Sequence, residues 1–425
     1  MAQMEVDTST KARLRWKILR AALFGKAYDK NEENAIKMAS IHSFPGFCLL
    51  DRRIIDLGFI HHADSGYHKK ECDPYDILEY RIPIRCEKHE ELVVIRTREK
   101  RDHSTQERVD IRSLVSENIY GVDNTSNVKV WDSEGILTFC LMRRKRQTRA
   151  ALSPLLSACC ISLDYFCSMA THCDSNVANK SKILRVIELG CGMAGIAGLA
   201  MACLENCCPE LFHDIHVQVV LTDGHPDAVR NNDMCASLTT NKMLLDHRHR
   251  PDIKVCKLLW NESKDGATDC AQLTQDYKNL FQLLFVSDCL HFTNFHVALA
   301  CTVGRLLDVN GLAIFCQPCR GKSLEQFVRL IQAINGNLDS FEENLTKTQN
   351  NKTRNPLFEI NLLNDYDDVV TNLHQQFNNQ HEGFYQPAAH YPLMLLLKKL
   401  RHYNEMSDTQ TAIYYSQYCG KLVTH

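Results

Sequence analysis

From residue 183 onward the chain alternates short, nearly continuous apolar runs with longer stretches whose apolar positions recur every three or four residues. The runs "ILRVIEL", "HVQVVLTD", "DIKVCKLLW", "FQLLFVSD", "GLAIFCQ", "PLFEINLL" and "YPLMLLLKKL" predict seven strands between residues 183 and 400. Runs this apolar suit strands covered on both faces. Between them, "AGIAGLAMACLEN", "HPDAVRNNDMCASL", "FHVALACTVGRLL", "SLEQFVRLIQAI" and "DYDDVVTNLHQQF" have helical spacing, and Pro226 suits a first helical turn. Strands alternating with helices predict an α/β fold, a mostly parallel sheet between two helical layers.

Upstream the pattern is less regular. "RWKILRAALF" gives residues 11–47 an amphipathic helical start, and "EELVVIRTR" is a strand in a charge-rich stretch, 51–120. "NVKVWDSEGILTFCLM" reads as a strand, a cap at Asp132 or Ser133, and a helix. The expected organisation is an N-terminal extension over 1–115, a main domain over 116–400 with an insert at 150–182, and a weakly periodic tail over 401–425. "ENLTKTQNNKTRNP" is polar enough to be a flexible loop.

The chemistry concentrates where the first of the seven strands ends. Gly190, Gly192 and Gly195 have the G-x-G-x-x-G spacing, which permits positive φ and close approach of backbone to a ligand. Dinucleotide enzymes and methyltransferases share that spacing, and the Lys-Ser or Lys-Thr of a P-loop does not follow. Glu188, two residues before the first glycine, suits the ammonium of an amino-acid-bearing cofactor. Asp223 ends the second strand, where an acid accepts hydrogen bonds from ribose. Ser287 and Asp288 end the fourth, at the carboxyl edge where open sheets bind ligands. Together these features suit S-adenosyl-L-methionine better than a dinucleotide, although Asp223 alone does not discriminate.

The stretches "VDNTSNVKVWDSEGILTFCL", "ELGCGMAGIAGL", "LTDGHPDAVRN", "LLWNES", "SDCLHF", "RGKSLEQF" and "HYPLMLLLKK", in this order, make the chain resemble the seven-strand lysine methyltransferases, specifically those acting on calmodulin. The resemblance implies a Rossmann-like, seven-stranded class I methyltransferase sheet with helices on both faces, plus an N-terminal extension. It implies S-adenosyl-L-methionine as cofactor and calmodulin as protein substrate. It places Trp131 along the cofactor, Gly190, Cys191 and Gly192 under its methionine part, Asp223 at the ribose and Trp260 near the adenine, and it makes Ser287 the small cofactor-binding residue before the fourth-strand acid. Asp288 takes the first position of a D-x-x-aromatic signature, with a positioning role. His291 takes the aromatic position and Phe292 follows it, so this segment lines the lysine entrance. A different protein substrate, or a binding protein that keeps the fold without catalysis, remains compatible with the same residues.

Bulk properties change this picture little. A formal charge of −2 on 425 residues gives no general field for nucleic acid or membrane. Twenty scattered cysteines read as reduced thiols, and "CQPC" at Cys316–Cys319 lacks a second pair at zinc spacing, so no metal is expected. Pro154 and Asp164 interrupt the semi-apolar run after Arg149, which therefore does not read as a membrane span. The N-terminal segment has no secretory pattern, which with the thiols suggests a cytoplasmic protein. Two basic clusters, Arg96–Arg101 and Arg143–Arg149, are either solvated faces or docking sites for an acidic partner, and the second also suits nuclear import.

Overall fold

The computed structural model describes residues 46–56, 75–85, 90–100, 130–142, 163–172, 182–260, 276–319, 321–336, 355–380, 385–404 and 407–418. Three strands, β1 (Asp51–Ile54), β2 (Tyr75–Arg85) and β3 (Glu90–Lys100), form an antiparallel meander. The main sheet comprises β4 (Thr171–His172), β5 (Lys182–Leu189), β6 (Ile215–Asp223), β7 (Asp252–Lys257), β8 (Phe281–Ser287), β9 (Leu307–Pro318), β10 (Phe358–Leu363) and β11 (Pro392–Lys399). Its order is β10-β11-β9-β8-β5-β6-β7, with the short β4 paired to the start of β5. All seven expected strands are present. β5 pairs in parallel with both β6 and β8, and β11 runs antiparallel to both neighbours. The chain therefore leaves β5 in one direction and returns through β8 in the other, which makes the carboxyl ends of β5 and β8 the switch point.

Alternation along the strands builds two cores. Leu184 and Val186 of β5, Leu283 and Phe285 of β8 and Ile314 of β9 face one layer, whereas Ile187, Leu189, Leu284, Val286 and Phe315 face the other. The first layer holds α1 (Asp132–Met142), α2 (Ile196–Ala202) and α3 (Pro226–Leu245). The second holds α4 (His296–Leu306) and α5 (Ser323–Ile334), and α6 (Asp368–Gln380) lies beside β10 in sequence. α3 starts as its sequence dictates, with Pro226 in the first turn and the His225 ring accepting from Asp227 N–H at 3.1 Å.

The meander shares the first core: Tyr80, Ile82, Ile84, Val93 and Ile95 are buried in it. Among the described residues no backbone ladder joins it to the main sheet. Side chains of α3 instead occupy the outer edge of β3. Cys235 Sγ and Thr239 Oγ1 accept from Arg98 and Arg96 N–H, at 3.2 and 3.1 Å, and Thr239 Oγ1 and Asn231 Nδ2 donate to the Arg96 and Arg98 carbonyls at 3.0 and 2.6 Å. Asn231, Cys235 and Thr239 stand four residues apart on one helix face, at the pitch needed to read one strand edge.

Differences from expectation cluster at ends. Strand 252–260 stops at Lys257, and Val130 and Trp131 are irregular rather than extended strand; residues 127–129 lie outside the described part. The helix expected from Lys11 lies outside it too, save Gly46 and Phe47 of its extended end. Within 150–182, Leu163–Met169 is helical and Phe166 is fully buried, so this portion belongs to the core. The tail contains a helix, α7 (Ser407–Tyr418), despite its weak periodicity. It is anchored by a bidentate Arg401–Asp408 pair at 2.8 and 2.9 Å and by Tyr403, buried against Gly304. Among the described residues no helix is long and apolar enough to cross a membrane.

Candidate active site

The glycine turn emerges from β5 at the switch point. Gly190, Gly192 and Gly195 all have positive φ, 65°, 59° and 54°. At Gly190 a side chain has no room: a Cβ there would lie 2.8 Å from Cys289 Sγ and 3.1 Å from the Trp260 ring. The turn is held from below. Asp223 Oδ2 accepts from Gly192 N–H at 2.9 Å while its Oδ1 accepts from His225 N–H at 2.8 Å. Asn232 Nδ2 donates to the Gly192 carbonyl at 2.7 Å, and Asn231 Nδ2 to that of Met193 at 2.6 Å. Cys191 is buried with its thiol in the first core.

Under the turn sits a pair of buried carboxylates. Gly195 precedes α2 without a side chain to cap it. Glu134, from the first turn of α1, accepts from Ile196 N–H at 2.6 Å, and Glu188 accepts from Gly198 N–H at 2.8 Å. Two of the helix's orphan donors are thereby satisfied, and two negative groups stand at the positive end of its dipole. Burial raises both carboxyls, Glu188 to about 7 against the opposing Gly198 bond, and the charge of Glu188 adds to the rise of Glu134. Burial also raises Asp223, to about 6, against the backbone N–H groups of His225, Gly192 and Gly224. Glu188 is thus turned toward helix α2, and Asp223 braces the turn with both oxygens.

Trp260, just past β7, and Ser287, at the end of β8, converge on Gly190. Trp260 Nε1 and Ser287 Oγ are buried with no hydrogen-bond partner in the protein, which is costly unless a ligand supplies one. Beyond Ser287, Asp288 is buried with φ 53°, its N–H bonded to the Cys316 carbonyl at 3.0 Å. Asp288 does not cap the following helix, whose first turn begins at Thr293 after Phe292. His291 Nδ1–H donates to the Asp288 carbonyl at 2.9 Å, and the Phe292 ring lies 3.8 Å from that of His291. Trp131 sits at the head of α1, its carbonyl accepting from Glu134 N–H at 3.0 Å.

The structure therefore brings Gly190, Trp260, Ser287 and Asp288 to one place, with Gly192 and Asp223 directly beside it; Glu188 lies on the α2 N-terminus, and Trp131 heads the helix whose Glu134 reaches that same end. The sequence reading missed Cys289, Glu134, Asn231 and Asn232. The two asparagines carried a signal, since polar residues follow at helical spacing on a helix that must pack against the core. Glu134 carried none, because an acid in a first turn normally faces water.

The strand order with an antiparallel β11, and a glycine cradle at the switch point, define a class I methyltransferase. Residues 120–334 match the lysine methyltransferase family, and the chain belongs to it. A curated relative, the calmodulin-lysine N-methyltransferase of Arabidopsis thaliana, is 28% identical over 78% of this chain and 84% of its own. Solved structures that resemble it more distantly include a TehB-like SAM-dependent methyltransferase from Corynebacterium glutamicum, with 12% identity, a TM-score of 0.27, and 51% of this chain and 80% of that one covered. Another is phosphoethanolamine N-methyltransferase 2 of Haemonchus contortus in complex with S-adenosyl-L-methionine, with 13% identity, a TM-score of 0.26, and 51% and 49% covered. S-adenosylmethionine is the methyl donor. The orphaned Trp260 and Ser287 atoms and the Cβ-free cradle at Gly190 fit such a group, which is rich in ring nitrogens and hydroxyls.

Proposed function

We propose that this chain is a protein-lysine N-methyltransferase for calmodulin, acting in the cytoplasm and carrying one lysine as far as the trimethyl form. The observation supporting this substrate is the 28% identity to the Arabidopsis calmodulin-lysine enzyme across most of both chains. Bound at the glycine turn, S-adenosylmethionine supplies an electrophilic methyl on a sulfonium sulfur. The protein must present the lysine as a neutral amine, although a free lysine keeps its proton up to about 10.4. Desolvation at the carboxyl edge disfavours the ammonium form, and positioning then accounts for much of the rate without a strong base.

In this reading Asp288 is a positioning residue. Its left-handed backbone, fixed by the Cys316 carbonyl, aims the chain from β8 across the mouth of the site. The His291–Phe292 pair forms the wall of the lysine entrance, with the His291 ring held by the Asp288 carbonyl. Trp131, Gly190, Cys191, Gly192, Asp223, Trp260 and Ser287 serve the cofactor.

The test is incubation of purified protein with labelled S-adenosylmethionine and unmethylated calmodulin, with the label located by mass spectrometry. Methylation of a single lysine, lost in Asp223→Ala, supports the reading. Cofactor binding without calmodulin methylation removes the substrate and leaves another protein's lysine. A folded protein that binds no cofactor removes catalysis itself.

A further inference from the structure

We propose that the outer face of the β1–β3 meander is the docking surface for an acidic protein substrate; this rests on the protein-lysine reading above. Cross-strand register sorts the meander into two faces. Tyr80, Ile82, Val93 and Ile95 point into the core, whereas Arg53, Glu79, Arg81, Arg96 and Arg98 share the other face with Asp51, Pro83 and Leu92. At its centre Glu79, almost wholly buried, is ringed by three guanidiniums: Arg53 at 2.6 Å, Arg96 at 3.1 Å and Arg81 at 3.2 Å. One carboxylate cannot neutralise three cations, and Asp51 is the other acid that register assigns to the face among its described side chains. Among the described side chains, four arginines against two acids give the face a positive excess on a chain whose overall charge is −2.

Arg53 and Arg81 keep 51% and 39% of their side chains exposed while bound to Glu79, so they are held in place and still face outward. A guanidinium already fixed loses less freedom on meeting a carboxylate than a free one. At one end of the face Pro83 and Leu92 are exposed and paired in register, adding an apolar contact beside the charge. At the other end Arg98 lies 3.5 Å over the Tyr75 ring and donates to Asn231 Oδ1 at 3.1 Å; the amide nitrogen of Asn231 holds the Met193 carbonyl of the glycine turn. The basic face therefore begins beside the cofactor turn. A protein bound along it lies next to the carboxyl edge where its lysine must enter. Its chemistry is that of an acidic surface with an apolar patch, and the charge complementarity selects it.

The experiment uses the full chain and unmethylated calmodulin. Methylation kinetics are measured for wild type and for Arg53→Gln/Arg81→Gln, which leaves Arg96 on Glu79, with S-adenosylhomocysteine binding as the folding control. The expected result is a rise of about ten-fold in KM for calmodulin, an unchanged kcat, and a weaker dependence of KM on salt. Hydrogen exchange on the wild type tests the same point without a variant: calmodulin slows exchange over residues 51–55 and 75–85. Wild-type methylation with an unchanged variant KM, or no slowing, overturns the docking face and leaves the proposed function standing. Slowing by single-stranded RNA and not by calmodulin also overturns it. No methylation of calmodulin by the wild type overturns both.

Discussion

Buried carboxylates at two places in the molecule, Glu79 and the group around the glycine turn, are treated in opposite ways. In the meander, burial pushes Glu79 up, but Arg53, Arg96 and Arg81 outweigh it and hold the group below the ordinary carboxylate range. Around the glycine turn, Glu134, Glu188 and Asp223 are also buried, and they accept from backbone N–H groups; all three are raised. The first arrangement fixes a charge permanently. The second leaves carboxyls that titrate nearer neutrality under the glycine turn. These carboxylates are thus distinguished by whether a cation compensates burial; Glu99, buried in the meander with hydroxyl partners, is raised like those of the site.

The comparison breaks first at Glu79. Glu79→Ala leaves three guanidiniums facing one another, and because Arg53 and Arg81 reach solvent the loss is about 2–3 kcal/mol, below that of a wholly buried pair; urea unfolding followed by circular dichroism measures it. A loss below about 1 kcal/mol would show that solvent already screens the cluster. Next is Asp223→Ala, which strips the Gly192 and His225 N–H groups of their acceptor. Orphaning a buried donor costs about 1–3 kcal/mol, so cofactor affinity falls about 10- to 100-fold in calorimetry. Unaltered affinity would mean that Asn232 alone holds the turn.

Two smaller effects sharpen the contrast. A carboxyl raised in the folded state contributes stability below its unfolded value, and that contribution is lost as pH rises through the folded value. For Asp223 and Glu188 this window runs from about 4 to the values near 6 and 7, so the ligand-free protein loses stability across it. Glu79, being lowered, has the opposite sign: its stabilisation is lost as pH falls into acid. Glu188→Gln, which still accepts from Gly198 N–H, flattens the fall in melting temperature between about pH 5 and 8. A parallel curve for the variant would assign the proton elsewhere. The smallest change expected is Cys289→Ser, nearly isosteric beside Gly190; it alters cofactor affinity by less than about three-fold and leaves the fold intact, as titration calorimetry and melting together report.

Much of the catalytic sheet was legible because period and length agree: strands buried on both faces, such as β5, β8 and β11, read as continuous apolar runs, and the more exposed β7 and β10 still showed as short apolar stretches. β2 was harder to see. Tyr80, Ile82 and Ile84 alternate properly, but Glu79 and Arg81 between them look like a solvated stretch until Arg53 and Arg96 arrive from other strands. The sequence points to the glycine turn, Asp223 and Ser287 because their spacing and strand-end positions are local, and to Trp260 through the resemblance. Glu134 and Asn231 act across 62 and 38 residues of chain, and no local pattern encodes such reach. The tail helix α7 escaped because its anchors, Arg401 and Tyr403, precede it in the chain, and the ties they make to Asp408 and Thr409 leave no mark on its periodicity.

The seam between α3 and β3 has a consequence for how such an enzyme can change. Three side chains, Asn231, Cys235 and Thr239, make a joint that a backbone ladder makes in most sheets. Backbone pairing is indifferent to sequence, whereas this joint is written in three codons. A few substitutions on one helix can re-seat or release the meander while every strand of the catalytic sheet stays paired. Descendants of this chain can therefore retarget what they hold without rebuilding how they react.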